Sequence, residues 1–178
     1  FWFPQTDKAQ VKCINTTQAG PSYPLAEEGS RIGWNYEVLP NHRPVKHSEM
    51  EYSVPFERAI DCMKDIQALL DKDFRHIKWP VEFRAQGADD VALSPAYGKD
   101  VVTISVHQGA EEEEEPYFRA CEEIFLNYGG KPHWGKVNYL TGEQMESLHE
   151  GWDLWWELRN AIDPSKTFLN DYLKSLSA

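Results

Sequence analysis

No stretch of this chain approaches the roughly 18 consecutive apolar residues that a membrane helix requires, so no membrane segment is expected. Cysteine is scarce: Cys13, Cys62 and Cys121 make an odd number without a CxxC pair. A disulfide framework is therefore not expected, and a reducing, cytoplasmic setting is. Basic residues are few, 18 Lys and Arg against 29 Asp and Glu, for a net charge of −11. A surface of that sign repels a phosphate backbone, which excludes nucleic acid as a partner. The histidines, His42, His47, His76, His107 and His133 among them, show no HxH or HExxH spacing, and no metal site is expected. No glycine-rich loop follows a strand pattern, so nothing here cradles a dinucleotide pyrophosphate unaided. The run Glu111 to Glu115 reads as a solvated loop before a helix, because consecutive carboxylates do not converge on one ion.

What is present is a periodic core. The 178 residues suffice for one good core, and seven tryptophans point to large packed or ligand-contacting surfaces. Phe1 to Pro4 is aromatic and extended, and Gln10 to Thr17 alternates enough for a strand. Residues 18–46, rich in Gly, Pro, Ser and Asn, read as one long loop. Met50, Tyr52 and Val54 alternate with Glu49, Glu51 and Ser53. Phe56, Ala59, Ile60, Met63, Ile66 and Leu70 then recur at helical spacing behind Pro55. Two further strands are expected at 79–86 and 100–107, a helix at 116–128 stopped by Gly129-Gly130, and a strand at 132–137. The order β-α-β-β-α-β predicts an α+β, ferredoxin-like antiparallel sheet with both helices on one face. C-terminal helices follow, the first capped by Thr141 and broken at Asp163-Pro164, the last over Phe168 to Leu176. The chain opens on Phe1 rather than Met and is expected to be a piece of a longer polypeptide.

The free sheet face should then carry Glu51, Ser53, Glu82, Arg84, Thr103, Ser105 and His107, with Lys136 joining from the last strand. The spacing fits either a plain exposed face or a wall for a polyhydroxylated ligand. Arg and Lys can hold a developing alkoxide, while Glu accepts hydrogen bonds from hydroxyls.

Several segments have a more specific likeness. Val81-Glu82-Phe83-Arg84, Ala88-Asp89-Asp90, Leu93-Ser94-Pro95, Gly98-Lys99-Asp100, the run Gly129 to Lys136 with His133-Trp134-Gly135-Lys136, and Asp163-Pro164 with Phe168 to Leu173 resemble, in that order, the C-terminal half of the aldonolactone oxidases. Phe1 to Pro4 and Met50 to Pro55 also look like segments of that family, which belongs to the vanillyl-alcohol-oxidase flavoproteins. The resemblance implies a substrate (cap) domain, with residues 1–17 continuing from an N-terminal FAD-binding domain. It implies a domain core at 47–140 and C-terminal helices, 141–178, that pack on the FAD domain. The implied reaction is hydride transfer from an aldono-1,4-lactone such as L-gulono-1,4-lactone to flavin N5, in ascorbate-type biosynthesis and with oxygen as acceptor. Arg84, Lys136 and Glu82 fall on the catalytic positions: Glu82 on substrate hydroxyls, Arg84 on the reacting oxygen, Lys136 assisting loss of the hydroxyl proton. Glu51, Ser105, His107 and His133 are implied on the substrate side, and Arg84, Trp134, Lys136 and Asn170 on the cofactor side. His107 stands where alditol oxidases carry threonine, which favours a lactone over a linear polyol. An alditol or sugar oxidase cap, and a non-catalytic ferredoxin-like module binding a sugar or a protein, are the alternatives.

Overall fold

The computed structural model describes residues 1–18, 20, 22–27, 30–39 and 44–177. His42 lies outside the described residues. The chain forms two compact units, Gln10–Lys46 on its own and Phe1–Ala9 together with His47–Ala178. In the larger unit β1 (Trp2–Phe3) pairs antiparallel with β2 (Lys8–Ala9). The smaller unit differs from the single loop its composition predicts. Its β3 (Ser22–Glu27) and β4 (Ser30–Ile32) pair antiparallel, and α1 (Asn35–Val38) adds one helical turn. Glu37 begins that turn by accepting a hydrogen bond from the Trp34 amide at 3.1 Å. The strand expected at Gln10 to Thr17 does not form; those residues are irregular.

The main sheet has the predicted composition. It runs β5 (His47–Pro55), β6 (Glu82–Gln86), β7 (Val101–Gly109) and β8 (Lys131–Pro132), in the order β6-β7-β5-β8, with every pairing antiparallel. Between β5 and β6 runs α2 (Ala59–Asp73), and between β7 and β8 runs α3 (Glu115–Asn127). This is the β-α-β-β-α-β arrangement of an α+β fold, and period-two alternation decides its faces. Met50, Tyr52 and Val54 from β5 and Val102, Ile104 and Val106 from β7 pack against Cys62, Ile66 and Leu70 of α2. Tyr117, Phe118, Cys121 and Phe125 of α3 complete the same core. Cys62 and Cys121 are buried thiols, and burial pushes Cys62 up to about 12. Within this core Tyr52 donates to Glu122 at 2.6 Å, and Glu122 also accepts from the Tyr139 amide at 2.9 Å.

Two boundaries differ from the sequence expectation. The strand expected at 79–86 starts at Glu82, because Val81 exchanges both backbone hydrogen bonds, each 2.8 Å, with Trp2 instead. The strand expected at 132–137 ends at Pro132. The chain reaches it through a tight reversal in which Gly129 adopts φ +75° and the Gly130 amide returns to the Phe125 carbonyl at 2.8 Å. After β8 come α4 (Gly142–Leu148), α5 (Trp152–Ile162) and α6 (Asp171–Leu176). They close a second, smaller core of Leu140, Met145, Trp152 and Leu176.

Candidate functional site

The face of the sheet opposite α2 and α3 is ordered by strand register. Glu82 of β6 lies opposite Ser105 of β7, which lies opposite Glu51 of β5. One row further along, Arg84, Thr103 and Ser53 line up in the same way, and on the other side His107 faces Glu49. Side chains at such paired positions sit about 4.5–5.5 Å apart at Cβ, so the rows become contacts. Glu51 accepts from Ser105 Oγ at 2.7 Å and from Arg84 Nη2 at 2.9 Å. Arg84 also donates from Nε to Thr103 Oγ1 at 3.3 Å and approaches Glu82 at 3.5 Å.

The face is less open than alternation predicts. Glu51 and Glu82 are buried, at 6% and 8% exposure, and Ser105 and His107 are buried too. The cations are not: the side chain of Arg84 is 56% exposed and that of Lys136 is 29% exposed. Carboxylates at the floor with cations above them leave guanidinium and ammonium facing outward.

Lys136 reaches this face through an irregular edge. The His133 amide donates to the Glu51 carbonyl at 2.9 Å, and the Val137 amide to the Glu49 carbonyl at 3.0 Å. Four steps of chain therefore span two steps of β5, and the surplus bulges out as Trp134-Gly135-Lys136. His133 Nδ1 accepts from the Gly135 amide at 3.0 Å and closes the bulge. The Trp134 ring is pinned by Trp152 at 5.8 Å, Trp155 at 6.0 Å and His149 at 5.5 Å. This holds the Lys136 ammonium on the Glu49 carboxylate.

Glu49 is the residue that sequence reasoning left out of the site, although alternation had placed it outward. Burial works to raise its carboxyl, but His107 and Lys136 outweigh that and hold it well below the usual carboxylate range. His107 in turn donates from Nδ1 to the Pro80 carbonyl at 2.9 Å, which turns Nε2 toward Glu49 at 3.6 Å. Among the described residues, His47, Glu49 and His107 also bring potential ligand atoms within 4.8 Å of one another. An ammonium already on the same carboxylate opposes a divalent cation there. Asn170 is placed apart from these rows: it is exposed, and its side chain caps α6 by accepting from the Leu173 amide at 2.8 Å.

A family model described as D-arabinono-1,4-lactone oxidase matches residues 25–176. The chain belongs to the D-arabinono-1,4-lactone oxidase family. Curated relatives of this lactone oxidase family member include an L-gulono-1,4-lactone dehydrogenase of Mycobacterium tuberculosis. It is 40% identical over 139 residues, which is 78% of this chain and 32% of the relative. An L-gulonolactone oxidase of Scyliorhinus torazame is 31% identical over 223 residues, covering 98% of this chain and 50% of the relative. An alditol oxidase of Streptomyces is 27% identical over 150 residues, covering 79% and 35%. The chain thus spans about a third to a half of the length of these relatives. Among the described residues, no helix is long and apolar enough to cross a membrane.

Proposed function

We propose that this chain is the substrate (cap) domain of an FAD-dependent aldonolactone oxidoreductase, working with an FAD-binding domain on the same polypeptide or a separate chain. The substrate is an aldono-1,4-lactone such as L-gulono-1,4-lactone, in an ascorbate-type route, with oxygen as acceptor and a reducing, cytoplasmic setting. The observation that carries this reading is the pair of outward cations, Arg84 and Lys136, over the buried carboxylates Glu51 and Glu82 and the part-buried Glu49. All five residues lie inside the family match.

The residues fit a cofactor held mainly elsewhere. The sequence has no glycine-rich loop after a strand pattern, while a guanidinium exposed beyond its ion pairs can face the edge of a flavin. When bound, FAD supplies the hydride acceptor. A carbinol carbon gives up hydride readily only as negative charge builds on its oxygen, and Arg84 and Lys136 stabilise that charge. Glu82 accepts hydrogen bonds from the neighbouring substrate hydroxyls. Glu51, fixed by Ser105, holds Arg84 in one orientation. His133 shapes the bulge that presents Lys136, and Trp134 anchors it.

The C-terminal helices support an interface with the FAD domain. Leu154, Leu158 and Ile162 recur every four residues along α5 and are exposed, and Phe168 beside them is 84% exposed. Residues 1–17 continue from that domain, and 47–140 form the substrate-binding core.

The test is anaerobic flavin reduction in the full-length protein, with L-gulono-1,4-lactone against xylitol. Rapid reduction by the lactone is expected, and Lys136→Met should slow it about 10²–10³-fold with little change in substrate affinity. A preference for xylitol would make the chain an alditol oxidase cap. No reduction by any lactone or polyol would leave a non-catalytic binding module and overturn the proposal.

A further inference from the structure

We infer that Glu49, braced by His107, is a positioning residue that fixes the Lys136 ammonium over the substrate face. This rests on the functional reading above for its catalytic consequence, but its structural part stands without it.

The geometry is a chain of three links. The Pro80 carbonyl can only accept, so the hydrogen bond at 2.9 Å requires a proton on His107 Nδ1. That fixes the ring, and the Trp79 ring stacked on it and the His47 ring tilted against it, with centroids 6.4 and 5.5 Å away, keep it from turning. The remaining nitrogen, Nε2, is buried and faces Glu49 Oε1 at 3.6 Å. The other carboxylate oxygen, Oε2, holds Lys136 Nζ. Glu49 is thus held from one side by an immobile ring and holds the mobile lysine on the other.

The alternative role for Glu49 is proton acceptor for the substrate hydroxyl, relayed through Lys136. A carboxyl held so far below its ordinary range is a poor base near neutrality, so Glu49 acts as a fixed counter-ion. The consequence is geometric. A lysine has three flexible donors on a four-carbon stem, and without Glu49 nothing in the bulge dictates where the ammonium sits. Displacing a stabilising charge by about 1 Å can lower a rate up to about 10²-fold.

The experiment has two arms. In the chain carrying ¹⁵N-labelled lysine, the Lys136 ammonium signal is identified by its loss in Lys136→Met. Glu49→Gln should move that signal markedly, and His107→Phe should move it less, while the other lysine signals stay in place. In the full-length protein, Glu49→Gln should lower the rate of flavin reduction about 10- to 10²-fold while substrate affinity changes little, and Glu49→Asp should recover part of the loss. A signal unmoved by Glu49→Gln overturns the positioning role. So does a signal that shifts on adding Zn²⁺ or Ni²⁺ and returns with a chelator, since the trio would then be a metal site. If the signal moves as expected but the parent protein reduces no flavin with any lactone, the functional reading fails and the positioning stands.

Discussion

Arg84→Ala tests whether the site is held together by its charges. Arg84 joins two strands: its Nη2 is 2.9 Å from Glu51 on β5, and its Nη1 is 3.5 Å from Glu82 on its own β6. At such separations and an effective dielectric near 20, each pair is worth about 5–6 kcal/mol before any desolvation is counted. Removing one partner of a fully buried pair typically costs about 3–5 kcal/mol, whereas a fully exposed pair is worth about 1 kcal/mol or less. Arg84 is 56% exposed and its carboxylate partners are about 10% or less, so water can enter on the cation's side only. The expected loss lies between the limits, at about 2 kcal/mol, or about 4–8 °C in Tm for a domain of this size. A double-mutant cycle with Glu51→Gln isolates the pair, because Gln keeps an oxygen for Ser105. The coupling should reach about 1 kcal/mol, measured by urea unfolding of the chain. A coupling below about 0.3 kcal/mol would refute the reasoning, leaving Arg84 a solvated arginine that only grazes the sheet.

Two further outcomes concern stability alone. Gly130→Ala would place a Cβ 2.8 Å from the Phe125 carbonyl oxygen and 3.2 Å from Val54, so the end of α3 must shift; a loss of about 1–3 kcal/mol in urea unfolding is expected. His149 is lowered below its ordinary value, first by burial, with a partly opposing hydrogen bond to the Met145 carbonyl. The unfolded chain therefore binds the extra proton first, and stability should fall as pH drops below about 6.5, the ordinary histidine value. In His149→Phe the decline of Tm between pH 7 and 5.5 should be shallower than in the parent. Glu49 does not compete in that window, since its depressed carboxyl contributes stability that is lost only below the ordinary carboxylate range.

The strand faces were legible because they depend on nothing beyond neighbouring residues. Met50, Tyr52 and Val54 must share a side whatever pairs with them, and so must Glu49, Glu51 and Ser53. The two long helices were legible for the same reason at a period of 3.6. The stretch 18–46 was misread because glycine and proline mark turns equally well in a loop and in a short strand pair. The final strand was misread because Pro132 to Val137 keeps touching β5 at both ends, and only the extra residues between those contacts reveal the bulge.

The site was legible as a list of residues and illegible as an arrangement. Arg84 and Glu51 are 33 positions apart, Ser105 and Glu51 are 54 apart, and Lys136 and Glu49 are 87 apart. Alternation gives the face of each residue but not its partner, because sliding one strand by two positions keeps every face and changes every pair. That is why the sequence could place Glu51 in the site and leave out Glu49, although both share one face. Register separates them: Glu51 lies opposite Ser105 and takes Arg84, while Glu49 lies opposite His107 and takes Lys136. Two carboxylates two residues apart on one strand thus hold the site's two outward cations, one each. The spacing of Arg84 from Lys136 across the face is consequently set by β5, the strand that pairs with both β7 and β8.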